Sequence, residues 1–201
     1  MGIACAFRSV SDNNIEKILE NPPLIWRLLE PDDPDMYLSE AAIKKPVGFM
    51  DRLMGKKNVE QPAELLDLEL CDGENLESDV DKSWQGIHYC LNQTEYDAKP
   101  PMNFITTGGE SVGDLEIYLG PARALKSSEI LDIYDQIKNI NTEQLRQNYD
   151  PEKMDKLDIY PNIWKRDGDE GFEYIAQNYE ELLKFISHCV EKKLGMLIYL
   201  C

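Results

Sequence analysis

The chain has 201 residues, 42% hydrophobic and 29% charged, which suits one sizeable globular core and excludes wholesale disorder. Asp and Glu number 38 against 21 Lys and Arg, and the resulting net charge of −17 repels a phosphate backbone, so direct nucleic-acid binding is excluded as an expected role. No stretch approaches the roughly 18 consecutive apolar residues of a membrane span.

Residues 3–9 are largely apolar and unbroken by Gly or Pro, the pattern of a buried opening strand. Ser11 or Asp12 then caps a helix carrying Ile15, Ile18 and Leu19, which Pro22 and Pro23 stop. A short second helix carries Leu24, Ile25, Leu28 and Leu29, and the Pro and Asp run from Glu30 to Asp35 reads as a loop. In the region from about 40 to 75, Lys44, Lys45, Lys56 and Lys57 flank Phe49, Met50, Leu53 and Met54. That patch is either an amphipathic helix packed on the domain or an exposed one that docks elsewhere.

Trp84, Ile87, His88 and Leu91 recur at spacings of three, four and seven, one face of a helix capped by Asp81 or Ser83. A hairpin is expected over 104–119, with Gly108-Gly109 as its turn and Leu115, Ile117 and Leu119 alternating along its second strand. Helices follow: one with Ile130, Ile133, Tyr134 and Ile137, one starting at Asn141 or Thr142, and one starting at Asp150-Pro151. The clearest helical face is Tyr179, Leu182, Leu183, Ile186, Cys189 and Val190. Gly195 ends it, and Met196–Leu200 reads as a central strand.

The five cysteines, Cys5, Cys71, Cys90, Cys189 and Cys201, are odd in number and form no CxxC pair. Free thiols in a reducing compartment explain them better than a disulfide framework, and the opening residues lack the basic and long apolar regions of a secretory leader, so a cytoplasmic location is expected.

Four stretches carry a resemblance: Lys82-Ser-Trp84-Gln-Gly86-Ile-His88-Tyr89, Gly120-Pro121-Ala122-Arg123-Ala-Leu125, Tyr149-Asp150-Pro151-Glu-Lys-Met154, and Asp158-Ile159-Tyr160-Pro161 followed by Trp164. In this order and spacing, the chain resembles the YfbM-like family of bacterial proteins of unknown function. The resemblance implies a cytoplasmic α+β fold and no established reaction. Where the family places an aromatic directly before Gly-Pro-Ala-Arg, this chain has Leu119, with Tyr118 one residue earlier. The expected architecture is one α+β domain over 1–201, a small mixed or antiparallel sheet with the N- and C-terminal strands in it, covered by helices. Residues 40–75 form a variable helical or loop insertion.

Catalytic signals are thin. Gly109-Glu110-Ser111-Val112-Gly113 spells a nucleophile elbow, but a strand pattern follows where that motif requires a helix. His188 has the right chain order and no specified acid. No Gly-Lys-Ser/Thr follows the glycines, so they form no phosphate loop. No metal site and no cofactor are expected, since His88 and Cys90 point to different helix faces.

The candidate pocket or network residues are Trp84, His88, Tyr89, Tyr118, Arg123, Asp150, Asp158, Tyr160 and Trp164. His88 is a core histidine or a polar reader at a pocket wall. Arg123 either pairs with a carboxylate such as Asp150 or Asp158 or recognises an anion with its planar fork. Tyr160 and Trp164 suit a packed corner or an aromatic wall. Two functions remain: a non-enzymatic acidic binding protein that neutralises a basic partner in the manner of an immunity protein, or a small-ligand or enzymatic cleft of Trp84, His88, Arg123 and Tyr160.

Overall fold

The opening strand, β1 (Cys5–Val10), is buried along its whole length, as a six-residue run without Gly or Pro allows. It lies antiparallel to β7 (Gly195–Leu200), in register from Cys5 opposite Leu200 to Val10 opposite Gly195. On the far side of β1 runs β4 (Glu77–Asp79); beyond β7 come β6 (Arg123–Leu125) and β5 (Glu110–Ser111). The order is therefore β4-β1-β7-β6-β5, every pair antiparallel, with the first and last strands side by side at the centre. The α+β class and the sheet built on the terminal strands agree with the sequence reading.

This computed structural model describes residues 2–45, 59–61 and 63–201, and the chain forms two compact units, Met1–Glu16 with Leu70–Cys201, and Lys17–Glu69. In the larger unit, strand alternation puts Cys5, Phe7, Leu125, Met196 and Ile198 on one face of the sheet, in one apolar core with the helices. The longest helix, α9 (Asp169–Lys192), brings Ile175, Tyr179, Leu182, Phe185, Ile186 and Cys189 to that core, and α5 (Ser127–Ile137) brings Ile130, Ile133 and Ile137. Both stripes follow the spacing read from the sequence.

Local chemistry fixes the helix starts. Ahead of α6 (Thr142–Asn148), Asn141 Oδ1 accepts from Gln144 N at 2.9 Å and Asn141 N donates to Gln144 Oε1 at 2.9 Å, a reciprocal cap. Asp150 accepts from Lys153 N at 3.0 Å and Pro151 opens α7 (Pro151–Lys156), as the Asp-Pro pair predicts.

Three local expectations need correction. The hairpin over 104–119 does not form: Thr106, Thr107 and Gly108 all donate their N–H to Asn103 O, curling that segment into turns, and β5 pairs instead with β6. Tyr118 and Gly120 take positive φ of 54° and 94°, which breaks the strand alternation at Leu119. Nor is Gly195 the helix stop, because Lys193 takes the left-handed position at φ 56°. Gly195 is instead demanded by close approach, since a Cβ there would lie 2.3 Å from Leu125 O. Finally, α4 (Trp84–Asn92) is no one-faced helix: every residue from Trp84 to Cys90 is buried.

The smaller unit contains α2 (Trp26–Leu29), α3 (Pro34–Ala41) and a two-stranded ribbon of β2 (Ile43–Lys45) and β3 (Val59–Gln61), paired from Ile43 opposite Gln61 to Lys45 opposite Val59. The boundary between the units falls within α1 (Asp12–Glu20). Tyr37, fully buried, donates its hydroxyl to Glu64 O at 3.3 Å. The ribbon is absent from the sequence reading, and the Phe49–Met54 patch lies outside the described residues. Among the described residues, no helix is long and apolar enough to cross a membrane.

Candidate functional site

Trp84, Tyr160 and Trp164, from the stretches that carry the resemblance, meet at the N-terminal end of α4. Trp84 donates its indole N–H to Ile3 O at 3.2 Å and stacks on Tyr160, ring centroids 5.8 Å apart. Tyr160 is held at three points: the stack, a hydroxyl that accepts from Ile3 N, and a backbone N–H that donates to Gln85 Oε1 at 2.8 Å. Trp164, at the start of α8 (Trp164–Asp167), is fully buried and donates to Ile159 O at 2.7 Å. Its ring occupies the space beside Gly86, where a Cβ would stand 2.7 Å from it. Gly86 is therefore what admits Trp164 to the helix surface.

Arg123 lies one strand from this cluster, in β6 opposite Ile198. Its Nη1 donates to Phe104 O at 3.0 Å and to Gly108 O, and its Nη2 donates to Ile105 O at 2.8 Å. The guanidinium thus ties the 104–108 turns to the sheet through carbonyl oxygens. The expected partners are elsewhere: Asp150 caps α7, and Asp158, at φ 54°, accepts from Asn162 Nδ2 at 2.7 Å. Among the described residues no carboxylate lies within ion-pairing distance of Arg123. Turn carbonyls, numerous and already facing the sheet edge, replace the single carboxylate. Burial pulls the Arg123 guanidinium below its ordinary value without taking its charge.

Beside it opens a pocket of about 150 Å³, with Trp84, Ile105, Leu119, Pro121, Arg123 and Tyr199 in its wall. Tyr118 does not line it; half exposed, its ring leans on Tyr199 at 5.9 Å. Leu119, which directly precedes Gly120-Pro121, is the residue of the Tyr118-Leu119 pair that takes a wall position. The pocket unites Trp84 with Arg123, while Tyr160 stands behind Trp84. His88 is apart, fully buried, with Nδ1 3.3 Å from Asn92 Nδ2 and Nε2 3.5 Å from Thr94 Oγ1. Burial pushes His88 down to about 4 against a weaker pull from Asp97, so the ring is neutral at pH 7. Tyr89 is likewise buried, under Lys153 Nζ at 5.7 Å from its ring, and burial raises its phenol.

The hydrolase motif dissolves in the same way. Ser111 Oγ donates to Gly113 O at 2.8 Å within β5 and its turn, whereas His188 Nε2 sits 2.8 Å from Gly73 O. Cys5, Cys90 and Cys189 are free thiols that burial pushes up to about 12, so none is a nucleophile at neutral pH. Among the described residues no group of His, Cys, Asp and Glu is placed to hold a metal ion.

The family model described as a domain of unknown function, DUF1877, matches residues 1–199. The chain belongs to the DUF1877 family. Its fold is similar to that of a solved structure, a protein of unknown function, YfbM, from Escherichia coli. The two agree with a TM-score of 0.58 at 16% identity, over 98% of the DUF1877 chain described here and 99% of the other. No curated protein matches the chain in sequence. This DUF1877 chain also holds two site contributors absent from the candidate residues read from its sequence. Gln85, inside a helix of buried neighbours, bridges Tyr160 N and Glu95 O; a polar residue in a buried run was its signal. Tyr199 reaches the pocket from the closing strand, where its apolar neighbours disguise it.

Proposed function

We propose that this chain is a non-enzymatic binding protein of the bacterial cytoplasm whose acidic exterior engages and neutralises a basic protein. The net charge of −17 carries the reading. It gives a long-range attraction that accelerates encounter with a cationic surface and weakens as salt screens it. Two further observations agree with it. Four groups with catalytic potential, His88, Cys5, Cys90 and Cys189, are buried and held neutral. Many Lys and Arg side chains are already occupied by exposed carboxylates, such as Lys126 with Glu16 at 2.8 Å and Lys192 with Asp72 at 2.7 Å. The free thiols suit a reducing interior.

The test is capture on the immobilised chain, followed by reconstitution with the purified partner. A basic protein is expected to bind at about 50 mM salt and to lose affinity at least tenfold by about 500 mM. Failure to capture a basic protein, or a complex whose affinity ignores salt, overturns the proposal. A small-ligand cleft is the second reading. The pocket that joins Trp84 to Arg123 favours it, in a narrower form than the four-residue cleft, since His88 and Tyr160 do not line that pocket.

A further inference from the structure

We propose that the pocket beside β7 binds a small organic carboxylate with a flat apolar body, its carboxylate set against Arg123. The inference rests on the small-ligand reading of this pocket and adds the chemical class. Four observations on Arg123 and its surroundings lead to it.

A guanidinium carries five N–H donors. Three of those on Arg123 go to Phe104 O, Gly108 O and Ile105 O, which leaves two, one on Nε and one on Nη2, without an acceptor among the described residues. Adjacent N–H groups of one planar guanidinium form the fork that a carboxylate accepts in bidentate fashion. The carbonyls also hold the fork still, so little side-chain entropy remains to be lost on binding.

Charge supplies the second observation. Backbone carbonyls solvate the cation but do not neutralise it, and Arg123 is half-buried without an ion-pairing carboxylate among the described residues. Among the 38 Asp and Glu of the chain, none of the described ones is set against this half-buried guanidinium. An anion in the pocket would meet an uncompensated positive charge in surroundings of low dielectric, where attraction exceeds that at the surface.

Shape is the third. The remaining walls are largely apolar or aromatic, Trp84, Ile105, Leu119, Pro121 and Tyr199 among them, and enclose about 150 Å³. A cavity of that size holds a benzene-sized body, about six to nine heavy atoms with its carboxylate. Trp84 is fixed by Tyr160 and Ile3 O, so this wall is preformed.

The last concerns the overall field. The net charge of −17 repels anions at a distance, but a Debye length of about 8 Å at physiological ionic strength confines that repulsion, and the short-range fork prevails inside the pocket.

Isothermal titration calorimetry of the full chain with benzoate, benzamide and benzyl alcohol tests the proposal. Benzoate is expected to bind at least tenfold more tightly than benzamide or benzyl alcohol. Leu119→Trp, a change at a half-exposed wall residue, should fill the pocket and abolish benzoate binding without lowering the melting temperature. Arg123→Gln should remove the preference for the acid. Because that variant also loosens the 104–108 turns, Leu119→Trp keeps the test decisive if it fails to fold. Equal binding of benzoate and benzamide overturns the carboxylate class while leaving the pocket as a ligand site. Benzoate binding that survives Leu119→Trp, or no binding by any of the three, overturns the proposal, and the last result removes the small-ligand reading with it.

Discussion

A methyl group on residue 195 would sit 2.3 Å from Leu125 O and 2.6 Å from Ile15 Cδ1, with backbone on one side and a packed core side chain on the other. Neither can yield cheaply, so Gly195→Ala is expected to cost about 1–3 kcal/mol in urea unfolding, the ordinary penalty of overpacking. His88 has a different liability. Its folded-state value near 4 lies below the ordinary 6.5, so the unfolded chain takes up its proton first as the pH falls. Stability is full above pH 6.5 and declines towards pH 4, by up to about 3 kcal/mol. The acid limb of the stability curve should accordingly be shallower for His88→Gln than for the wild type. At this scale the sequence disclosed residue types better than partners. The positive charge and position of Arg123 were legible, yet its acceptors are backbone oxygens of a turn, and no side-chain pattern encodes where a carbonyl will point.

Among elements, helices were more readable than strands because their signals are local. The Asn141 and Asp150 caps lie within three residues of the N–H groups they satisfy. Asp150→Ala is therefore expected to lose about 1 kcal/mol of stability in thermal or chemical unfolding, and Asp150→Ser to recover most of it. The sheet depends on pairings between distant segments, and β5 and β6 are two and three residues long, too short for alternation to register. An apparent strand at 115–119 outcompeted them on paper because Leu115, Ile117 and Leu119 alternate, although positive φ at Tyr118 turns the backbone away. The one-faced reading of α4 failed for another reason: Gln85 and Gly86 look solvent-facing by polarity and size, but Gln85 is consumed by backbone hydrogen bonds and Gly86 by the Trp164 ring.

For the molecule as a whole, the excess of carboxylates is a burden in the folded state. Most of its ion pairs are exposed, and such pairs contribute roughly 0–1 kcal/mol each. Self-repulsion should outweigh them, so raising salt from about 10 to about 300 mM is expected to increase the melting temperature by a few degrees in scanning calorimetry. A decrease would mean that the pairs dominate. The arrangement of the sheet has a temporal side too. Its middle strand, β7, follows every strand it must join or separate, so a ribosome emits β1, β4, β5 and β6 before the segment that unites them exists. A nascent chain halted just short of Gly195 carries both halves of the sheet with a gap one strand wide between them, and translation must go past that point before the interior can close.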